Sequence, residues 1–332
     1  MTSSNAILNG DRLALARLLT KVENNSPEGR SALMELFPHT GRAHLIGVTG
    51  APGTGKSSLV NQLALHYRKQ EDKRIAIVAV DPSSPFTGGA VLGDRVRMRD
   101  LSGDPNVFIR SMASRGSLGG LAQATANVVQ VFDAAGFDIV IVETVGAGQS
   151  EVDIARLAHT TLVVEAPGLG DDIQAIKAGI LEIADILVVN KADRPGVENT
   201  EKALKTMLEL AHPTERVFKH HGVSMNVSAP KQSSNTTMWI PPIQRTVSTE
   251  GAGIPELVAA IARHVDHLRS SGDWALRERT RLEVELEALV REGLMKKFRE
   301  SLSAEAYENV LESVVQRKRS PWEAAAVLLK ES

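Results

Sequence analysis

The sequence predicts an α/β fold in which a mostly parallel central sheet is flanked by helices, with further helices at both ends of the chain. Short apolar runs that end at polar residues alternate with stretches of helical periodicity, as in parallel strands joined by crossover helices. A glycine-rich octapeptide joins the first apolar run to the first of these helices. We therefore expect an N-terminal helical extension at 1–43, a nucleotide-binding domain at 44–270 and a C-terminal helical arm at 271–332.

The octapeptide, residues 50–57, fits the spacing GxxxxGK[ST] of a Walker A loop. In such a loop backbone N–H groups turn inward around a triphosphate, Lys56 reaches the outer phosphates, and the Ser57 hydroxyl can bind Mg²⁺. Residues 44–49 have the pattern of a strand and residues 58–69 that of a helix, so the order of a P-loop NTPase is complete. The expected nucleotide contacts are Gly50, Pro52, Gly53, Thr54, Gly55, Lys56, Ser57 and Ser58.

The overall composition narrows the classes of partner. With 38 basic and 40 acidic residues the net charge is −2, so no broad field favours nucleic acid or an anionic membrane surface. The absence of cysteine excludes disulfides and thiolate metal sites. There is no signal-peptide pattern and no run of about 20 apolar residues. We expect a cytoplasmic protein that binds neither nucleic acid nor membrane.

The second apolar run, residues 74–80, is typical of a strand covered on both faces and ends at Asp81. The following loop, 82–93, is rich in Ser, Gly and Pro and leads to Asp94, so we expect a polar switch loop. Residues 107–110 and 120–135 predict a further strand and helix.

Residues 137–142 predict a buried strand that runs directly into Glu143. A carboxylate at this strand end can orient a metal-bound water, although it could also be a solvated side chain. The Gly146 N–H can bond a γ-phosphate and lose that bond on hydrolysis. Ras-type GTPases place a water-orienting Gln directly after this Gly, but here the residue is Ala147. Intrinsic hydrolysis should therefore be slow.

A second glycine-bearing loop, 167–177, follows the predicted strand 160–166. It contains Asp171 and Asp172 and leads into a helix. These two side chains could serve partner recognition or merely cap that helix.

The strand 186–189 ends at the NKxD pattern, Asn190, Lys191 and Asp193. Asp193 can accept hydrogen bonds from the N1–H and exocyclic amine of guanine, which adenine does not present. The Lys191 stem can pack over the base. This pattern, downstream of a Walker A loop, predicts GTP and GDP as ligands.

Two candidates exist for the last guanine contact. Ser228-Ala229 lies in a polar stretch, 212–242, that follows a predicted helix at 198–211. We prefer Ser248 and Thr249, because residues 243–247 predict a strand that leads into them.

Both ends of the chain have helical patterns. Ser26-Pro27-Glu28 and Ser320-Pro321-Trp322-Glu323 are typical helix starts. The arm carries an apolar stripe, with little domain left for it to cover, so we expect it to form a homodimer interface.

Five motifs together resemble the methylmalonyl-CoA mutase-associated GTPases, the MeaB/ArgK type within the SIMIBI branch of P-loop proteins. They are GAPGTGKS at 50–57, DPSSPFTGGAVLGDR at 81–95, ETVGAGQSE at 143–151, GLGDDIQAIKAG at 168–179 and NKAD at 190–193. The likeness covers nearly the whole chain, and the second and third motifs are much more specific than a P-loop.

The resemblance implies that Ser57, Asp81, Asp94 and Glu143 cluster around Mg²⁺ and the attacking water. Lys56, Asp81 and Glu143 would then be catalytic, with Asp81 a candidate for positioning the water. It also implies that residues 168–177 form a third switch facing a partner mutase. The residues expected to couple the site to that partner are Gln149, Asp171, Asp172, Gln174 and Lys177.

The function implied is that of a GTP-hydrolysing chaperone for an adenosylcobalamin-dependent acyl-CoA mutase, which gates cofactor loading and protects the mutase from inactivation. One departure is Val247-Ser248-Thr249, where relatives commonly have a Ser-Ala pair. We still expect guanine binding, because that motif mainly offers backbone N–H groups.

Two alternative functions from other classes of protein are also considered. A lysine/arginine/ornithine transport ATPase or kinase is disfavoured by the guanine motif. A metallochaperone GTPase, for example for nickel, is disfavoured because the chain has no cysteine and no His-rich tract.

Overall fold

A computed structural model describes residues 3–81, 98–101, 103–113, 120–144, 150–168, 182–211, 216–220, 223–227 and 238–331. Its strands are β1 His44–Thr49, β2 Ile75–Asp81, β3 Val107–Ala113, β4 Ile139–Thr144, β5 Thr160–Glu165, β6 Ile186–Asn190, β7 Arg216–His220, β8 Val223–Val227 and β9 Ile243–Thr246. Seven of them form one parallel sheet in the order β3-β2-β4-β1-β5-β6-β9. This sheet confirms the α/β architecture predicted from the sequence.

Helices cover both faces of this sheet, and three more described helices follow in the chain. In chain order, the described helices are α1 Ser3–Leu8, α2 Arg12–Glu23, α3 Pro27–Leu36, α4 Lys56–Glu71, α5 Gly120–Ala134, α6 Ser150–Leu157, α7 Val197–Ala211, α8 Ile254–Ser271, α9 Asp273–Ser301, α10 Ala304–Val315 and α11 Pro321–Glu331. The two predicted helix starts are confirmed. Ser26 Oγ accepts from the Gly29 N–H, and Ser320 and Glu323 exchange side-chain to backbone hydrogen bonds.

Because successive side chains along a strand point to opposite faces of the sheet, the apolar core has two layers. On β4, Val140 faces one layer and Ile141 the other. The first layer packs on side chains of α2, α3, α5 and α6, and the second on those of α4 and α8. Because both faces of the sheet are covered, its strands are continuous apolar runs.

Two local features differ from the sequence prediction. Strand β4 spans Ile139–Thr144 rather than 137–142, so Glu143 lies within the strand. The stretch 212–242 contains an antiparallel hairpin of β7 and β8, which its polar composition did not indicate.

The chain divides into two compact units, Met1–Arg277 and Glu278–Ser332. Helix α9 supplies residues to both units. In the second unit α10 contacts α11, and Val310 and Ala324 are buried. Within the described part of the chain, no helix has the length and apolar character needed to cross a membrane.

Candidate functional site

The loop 50–57 lies between β1 and α4 and depends on glycine at three positions. Gly50, Gly53 and Gly55 have φ values of 139°, 83° and 92°, which side chains rarely adopt. A Cβ at Gly50 would lie 2.1 Å from the Val164 carbonyl oxygen, and one at Gly55 would lie 2.5 Å from Asn190 Nδ2. The loop is therefore fitted closely against the ends of β5 and β6.

Lys56 begins α4 and its side chain turns back over the loop. Its Nζ donates to the carbonyl oxygens of Gly50, at 2.7 Å, and Ala51, at 3.1 Å. Thr54 Oγ1 donates to the same Ala51 carbonyl at 3.0 Å. An ammonium binds an anionic phosphate oxygen more strongly than a neutral carbonyl, so a triphosphate here would compete for Lys56. The helix starts at Lys56 instead of residue 58, which brings its first turn to the loop.

Ser57 and Glu143 meet where β1 and β4 end. Ser57 Oγ donates to Glu143 Oε1 at 2.6 Å, and both side chains are buried. Strands β1 and β4 pair directly, with Val48 opposite Glu143, so no strand separates the loop from this carboxylate. A hydroxyl and a carboxylate are hard oxygen donors that suit Mg²⁺.

Asp81 ends β2, which pairs with β4 on the side away from β1. Its backbone therefore lies at the same edge of the sheet as Ser57 and Glu143. Among the residues that the structure describes, no group of three or more His, Cys, Asp or Glu side chains is arranged to hold a metal ion. Mg²⁺ in phosphate sites usually takes only one or two carboxylates and completes its shell with phosphate and water.

Asn190 joins the phosphate loop to the end of the sheet. Its Nδ2 donates to the Thr54 carbonyl oxygen at 2.8 Å. Its Oδ1 accepts from Thr246 Oγ1 at 3.1 Å, and from the Ser248 Oγ and N–H at 2.7 and 3.2 Å. The side chain is 1% exposed, and its hydrogen bonds join the phosphate loop, the end of β9 and Ser248.

The sequence did not single out Thr246. Its position as the last residue of β9, level with Asn190 on β6, was the only available signal.

The two charged residues of the guanine motif follow β6. Lys191 has a φ of 56°, and its Nζ donates to the Gly53 carbonyl oxygen at 2.5 Å. Asp193 lies exposed in the turn that follows. Ser248 is buried against Asn190, whereas Thr249 is exposed. Pro52 and Ser58 are also exposed beside the loop.

The structure thus brings the loop, Glu143, Asn190, Lys191 and Ser248 to one edge of the sheet. Other expected site residues lie outside the described residues, namely Asp94, Gly146, Gln149, Asp171, Asp172, Gln174 and Lys177, together with the alternative pair Ser228-Ala229. For Asp81 only the backbone position is described.

Comparisons with known proteins find similarity to one family of GTPases. A family model described as methylmalonyl Co-A mutase-associated GTPase MeaB matches residues 15–303. A Pyrococcus horikoshii protein named as a GTPase is 44% identical over 322 residues, which are 97% of this chain and 95% of that protein.

A more distant relative and a solved structure cover the same region. The Caenorhabditis elegans protein named methylmalonic aciduria type A homolog, mitochondrial, is 31% identical over 308 residues, 88% of this chain and 72% of that one. The crystal structure of a LAO/AO transport system kinase has a TM-score of 0.69 at 27% identity and covers 99% of this chain and 95% of its own.

Proposed function

Because the chain belongs to the methylmalonyl Co-A mutase-associated GTPase family, we propose that it binds GTP with Mg²⁺ at the loop 50–57 and hydrolyses it under the control of an adenosylcobalamin-dependent acyl-CoA mutase. The observation that carries the nucleotide part is the hydrogen bond from Asn190 Nδ2 to the Thr54 carbonyl oxygen. It ties the phosphate loop to the guanine motif, so the two halves of one nucleotide site are held at a fixed separation.

The phosphate end uses Lys56, Ser57 and Glu143. Lys56 exchanges its two carbonyl acceptors for the β- and γ-phosphates. Because Ser57 donates its hydrogen to Glu143, the hydroxyl oxygen keeps lone pairs for a cation. Asp81 and Asp94 complete the proposed Mg²⁺ environment. When bound, Mg²⁺ neutralises charge that develops on the phosphates.

The base end uses Asp193, Lys191 and Thr249. Asp193 stands exposed in the turn that follows β6, and its carboxylate can accept from the two N–H groups of guanine. The hydrogen bond to the Gly53 carbonyl oxygen holds Lys191 against the loop, so its aliphatic stem is positioned to pack over the base. The N–H and the hydroxyl of Ser248 both donate to Asn190 Oδ1, so we assign Ser248 to positioning the Asn190 side chain.

Hydrolysis without a partner should be slow. Ala147 has no group that can orient water, and Asp81 is our candidate for that task. The N–H of Gly146 would bond the γ-phosphate, and the loss of this bond on hydrolysis would release the chain that follows Gly146. In this scheme Gln149 and the loop residues Asp171, Asp172, Gln174 and Lys177 couple the site to the mutase.

The mutase role rests on the family description and on the name of the nematode relative. We assign the protein to gating of adenosylcobalamin loading and to protection of the mutase from inactivation. A partner that reorders the switch segments suits a GTPase that has Ala147 in place of a water-orienting Gln.

We also propose a homodimer formed through the second unit. Helix α9 has no fully buried residue, and large apolar side chains stand exposed along it and along the two helices that follow. Those in the second unit are Val284, Leu286, Leu289, Val290, Leu294, Met295, Tyr307, Leu311, Val315, Trp322 and Leu329. A large exposed apolar surface is typical of a contact with another chain.

A transport-associated kinase is the second candidate, because the solved structure with a TM-score of 0.69 is that of a LAO/AO transport system kinase. Such a kinase would use ATP. Asp193 argues against this candidate, because adenine lacks the donors that a carboxylate at this position would bind.

Two measurements test the proposal. Calorimetry with Mg²⁺ should show binding of GTP and GDP and none of ATP, and equal affinities for ATP and GTP would favour the kinase. Size-exclusion chromatography with a cognate acyl-CoA mutase should show a complex that depends on the bound nucleotide. No complex with either nucleotide would overturn the mutase assignment and leave the GTPase intact.

A further inference from the structure

A second polar cluster lies at the edge of the sheet opposite the nucleotide site. His44 and Thr160 are the first residues of β1 and β5, and Asp185 immediately precedes β6. His264 of α8 and Arg277 near the start of α9 join them. All of these residues belong to the first compact unit.

Asp185 is the centre of this cluster. Its carboxylate accepts from Arg277 Nη2 at 2.7 Å and Nη1 at 2.8 Å, and from the Thr161 N–H at 2.8 Å. His264 Nε2 lies 3.2 Å from Oδ1. Burial alone would raise the pKa of Asp185, but the nearby His264 and the hydrogen bonds from Arg277 hold it below its ordinary value. The first turn of α9 is thus fixed to the sheet by an ion pair between the buried Asp185 and the half-buried Arg277.

His159 connects this anchor to α6. Its ring stacks on Trp274 with centroids 3.9 Å apart and planes at 19°. Its carbonyl oxygen accepts from Arg277 Nη1 at 2.8 Å. Its backbone N–H donates to the Leu45 carbonyl oxygen at 2.8 Å, and Leu45 N–H donates to its Nδ1 at 3.0 Å. His159, the second residue after α6, therefore contacts both β1 and the start of α9.

Helix α6 extends from the nucleotide edge toward this cluster. It begins at Ser150, directly after the segment that contains Gly146 and Gln149, and its eight residues are about 12 Å long. It packs on β1 at Gly47, where a Cβ would lie 2.6 Å from Ile154 Cγ2 and 3.1 Å from the Ala158 Cβ. Because Gly47 has no side chain, α6 packs closely on β1 at this point, and a displacement of α6 passes to the connector at His159.

We propose that α6 and His159 transmit the nucleotide state to the first turn of α9, through the stack of His159 on Trp274 and the bond of Arg277 to the His159 carbonyl oxygen. The proposal rests on the proposed function, since residues 145–149 must respond to the γ-phosphate. A shift of α6 along β1 repositions His159, and Trp274 follows because its ring is in face-to-face contact. The first turn of the helix that leads into the second unit thereby differs between the GTP and GDP states.

The three tryptophans allow a direct test in the full-length chain. In a Trp239→Phe/Trp322→Phe protein, the only fluorophore of this type is Trp274. Its emission should differ between the complexes with GDP and with a non-hydrolysable GTP analogue, both with Mg²⁺. The difference should disappear in the added variant His159→Asn, which keeps an acceptor for the Leu45 N–H but removes the ring.

The matched control is a Trp274→Phe/Trp322→Phe protein. Its remaining Trp239 packs on His264 and His267 of α8 and donates to the Asp185 carbonyl oxygen. Its emission should be the same with both nucleotides. An equal change at Trp239 and Trp274 would overturn the assigned route. Amide hydrogen exchange of residues 273–277 in the unaltered protein should also differ between the two states.

Nucleotide occupancy, measured by calorimetry on the same samples, distinguishes failure of the proposed link from failure of the proposed function. Unchanged Trp274 emission and unchanged exchange at full occupancy by both nucleotides would overturn the link and leave the GTPase assignment intact. Failure to bind either nucleotide would overturn the proposed function, and the link with it.

Discussion

Ser57 Oγ donates a 2.6 Å hydrogen bond to Glu143 Oε1, between a loop and a strand that are 86 residues apart in sequence. The bond exists because β4 pairs directly with β1 and ends level with it. It orients the hydroxyl so that its hydrogen points to the carboxylate and its lone pairs are available to a cation. Glu143 thereby acts on the proposed Mg²⁺ site through Ser57 as well as through its own charge.

Glu143→Gln should reduce GTP hydrolysis about 10- to 100-fold, the usual cost of losing a group that orients a metal ligand. The amide oxygen can still accept from Ser57, so the fold and Mg²⁺-free GDP binding should be retained. Steady-state phosphate release measures the effect. Asp138→Asn, at the opposite end of the same strand, is the matched control and should keep the wild-type rate. A wild-type rate for Glu143→Gln would refute its assignment.

Asp193→Asn should shift binding from guanine to xanthine nucleotides, because the carboxylate oxygen that accepts from the exocyclic amine of guanine is replaced by an amide N–H, which can donate to the C2 oxygen of xanthine. Asp193 is exposed, so stability should change little. Calorimetry with GDP and XDP measures the selectivity. The comparison variant is Asn190→Ala, which should weaken both nucleotides alike and destabilise the protein by about 1–3 kcal/mol, because buried partners lose their hydrogen bonds. Unchanged selectivity in Asp193→Asn would remove the base-reading role.

The nucleotide edge was predictable because its residues form contiguous motifs. Strand β1 covers the residues that the sequence indicated, and the loop, Glu143 and Asn190 meet as the parallel order requires. Strand β4 was misplaced by two residues, because Phe137 is apolar but precedes the strand while Glu143 is charged but belongs to it. Apolar character alone does not mark where strand pairing starts and ends.

The cluster around Asp185 was not predictable in the same way. Its members lie between His44 and Arg277 in the chain, and only the sheet order brings them together. A weak signal did exist, since His44, His159 and Asp185 stand at or just before strand starts. Parallel sheets place their chemistry at the carboxyl ends of the strands, whereas this cluster lies at the amino ends.

Acid should destabilise the protein through His44. Burial, together with the nearby His159, His264 and Arg269, lowers the pKa of His44 from 6.5 to about 3. Because the folded state resists protonation, the stabilising contribution of neutral His44 is lost as pH falls below 6.5. His44 keeps part of its surface open to solvent, so we expect a loss of about 1–2 kcal/mol between pH 7 and pH 5.

Urea unfolding of wild type and His44→Asn at both pH values measures this contribution. The variant should lose less stability than the wild type between pH 7 and pH 5. Equal losses would show that His44 does not carry the acid sensitivity. Asp185, whose pKa is lowered from 3.8, contributes only at more acidic pH.

Two truncations that differ by three residues should behave differently. Deletion of 278–332 keeps Arg277, so the first unit should remain folded, bind GDP and be a monomer. Deletion of 275–332 removes Arg277 and its two hydrogen bonds to the buried Asp185, at a cost of about 1–3 kcal/mol. Light scattering and urea unfolding measure the two effects. A full-length monomer at micromolar concentration would contradict the dimer, and equal stabilities would contradict the anchor.

The most direct test of the whole account is the steady-state rate of GTP hydrolysis with and without a cognate adenosylcobalamin-dependent acyl-CoA mutase. We predict a slow basal rate that the mutase accelerates, with Lys177→Ala keeping the basal rate and losing most of the acceleration. A rate that is unchanged at saturating mutase would contradict the account.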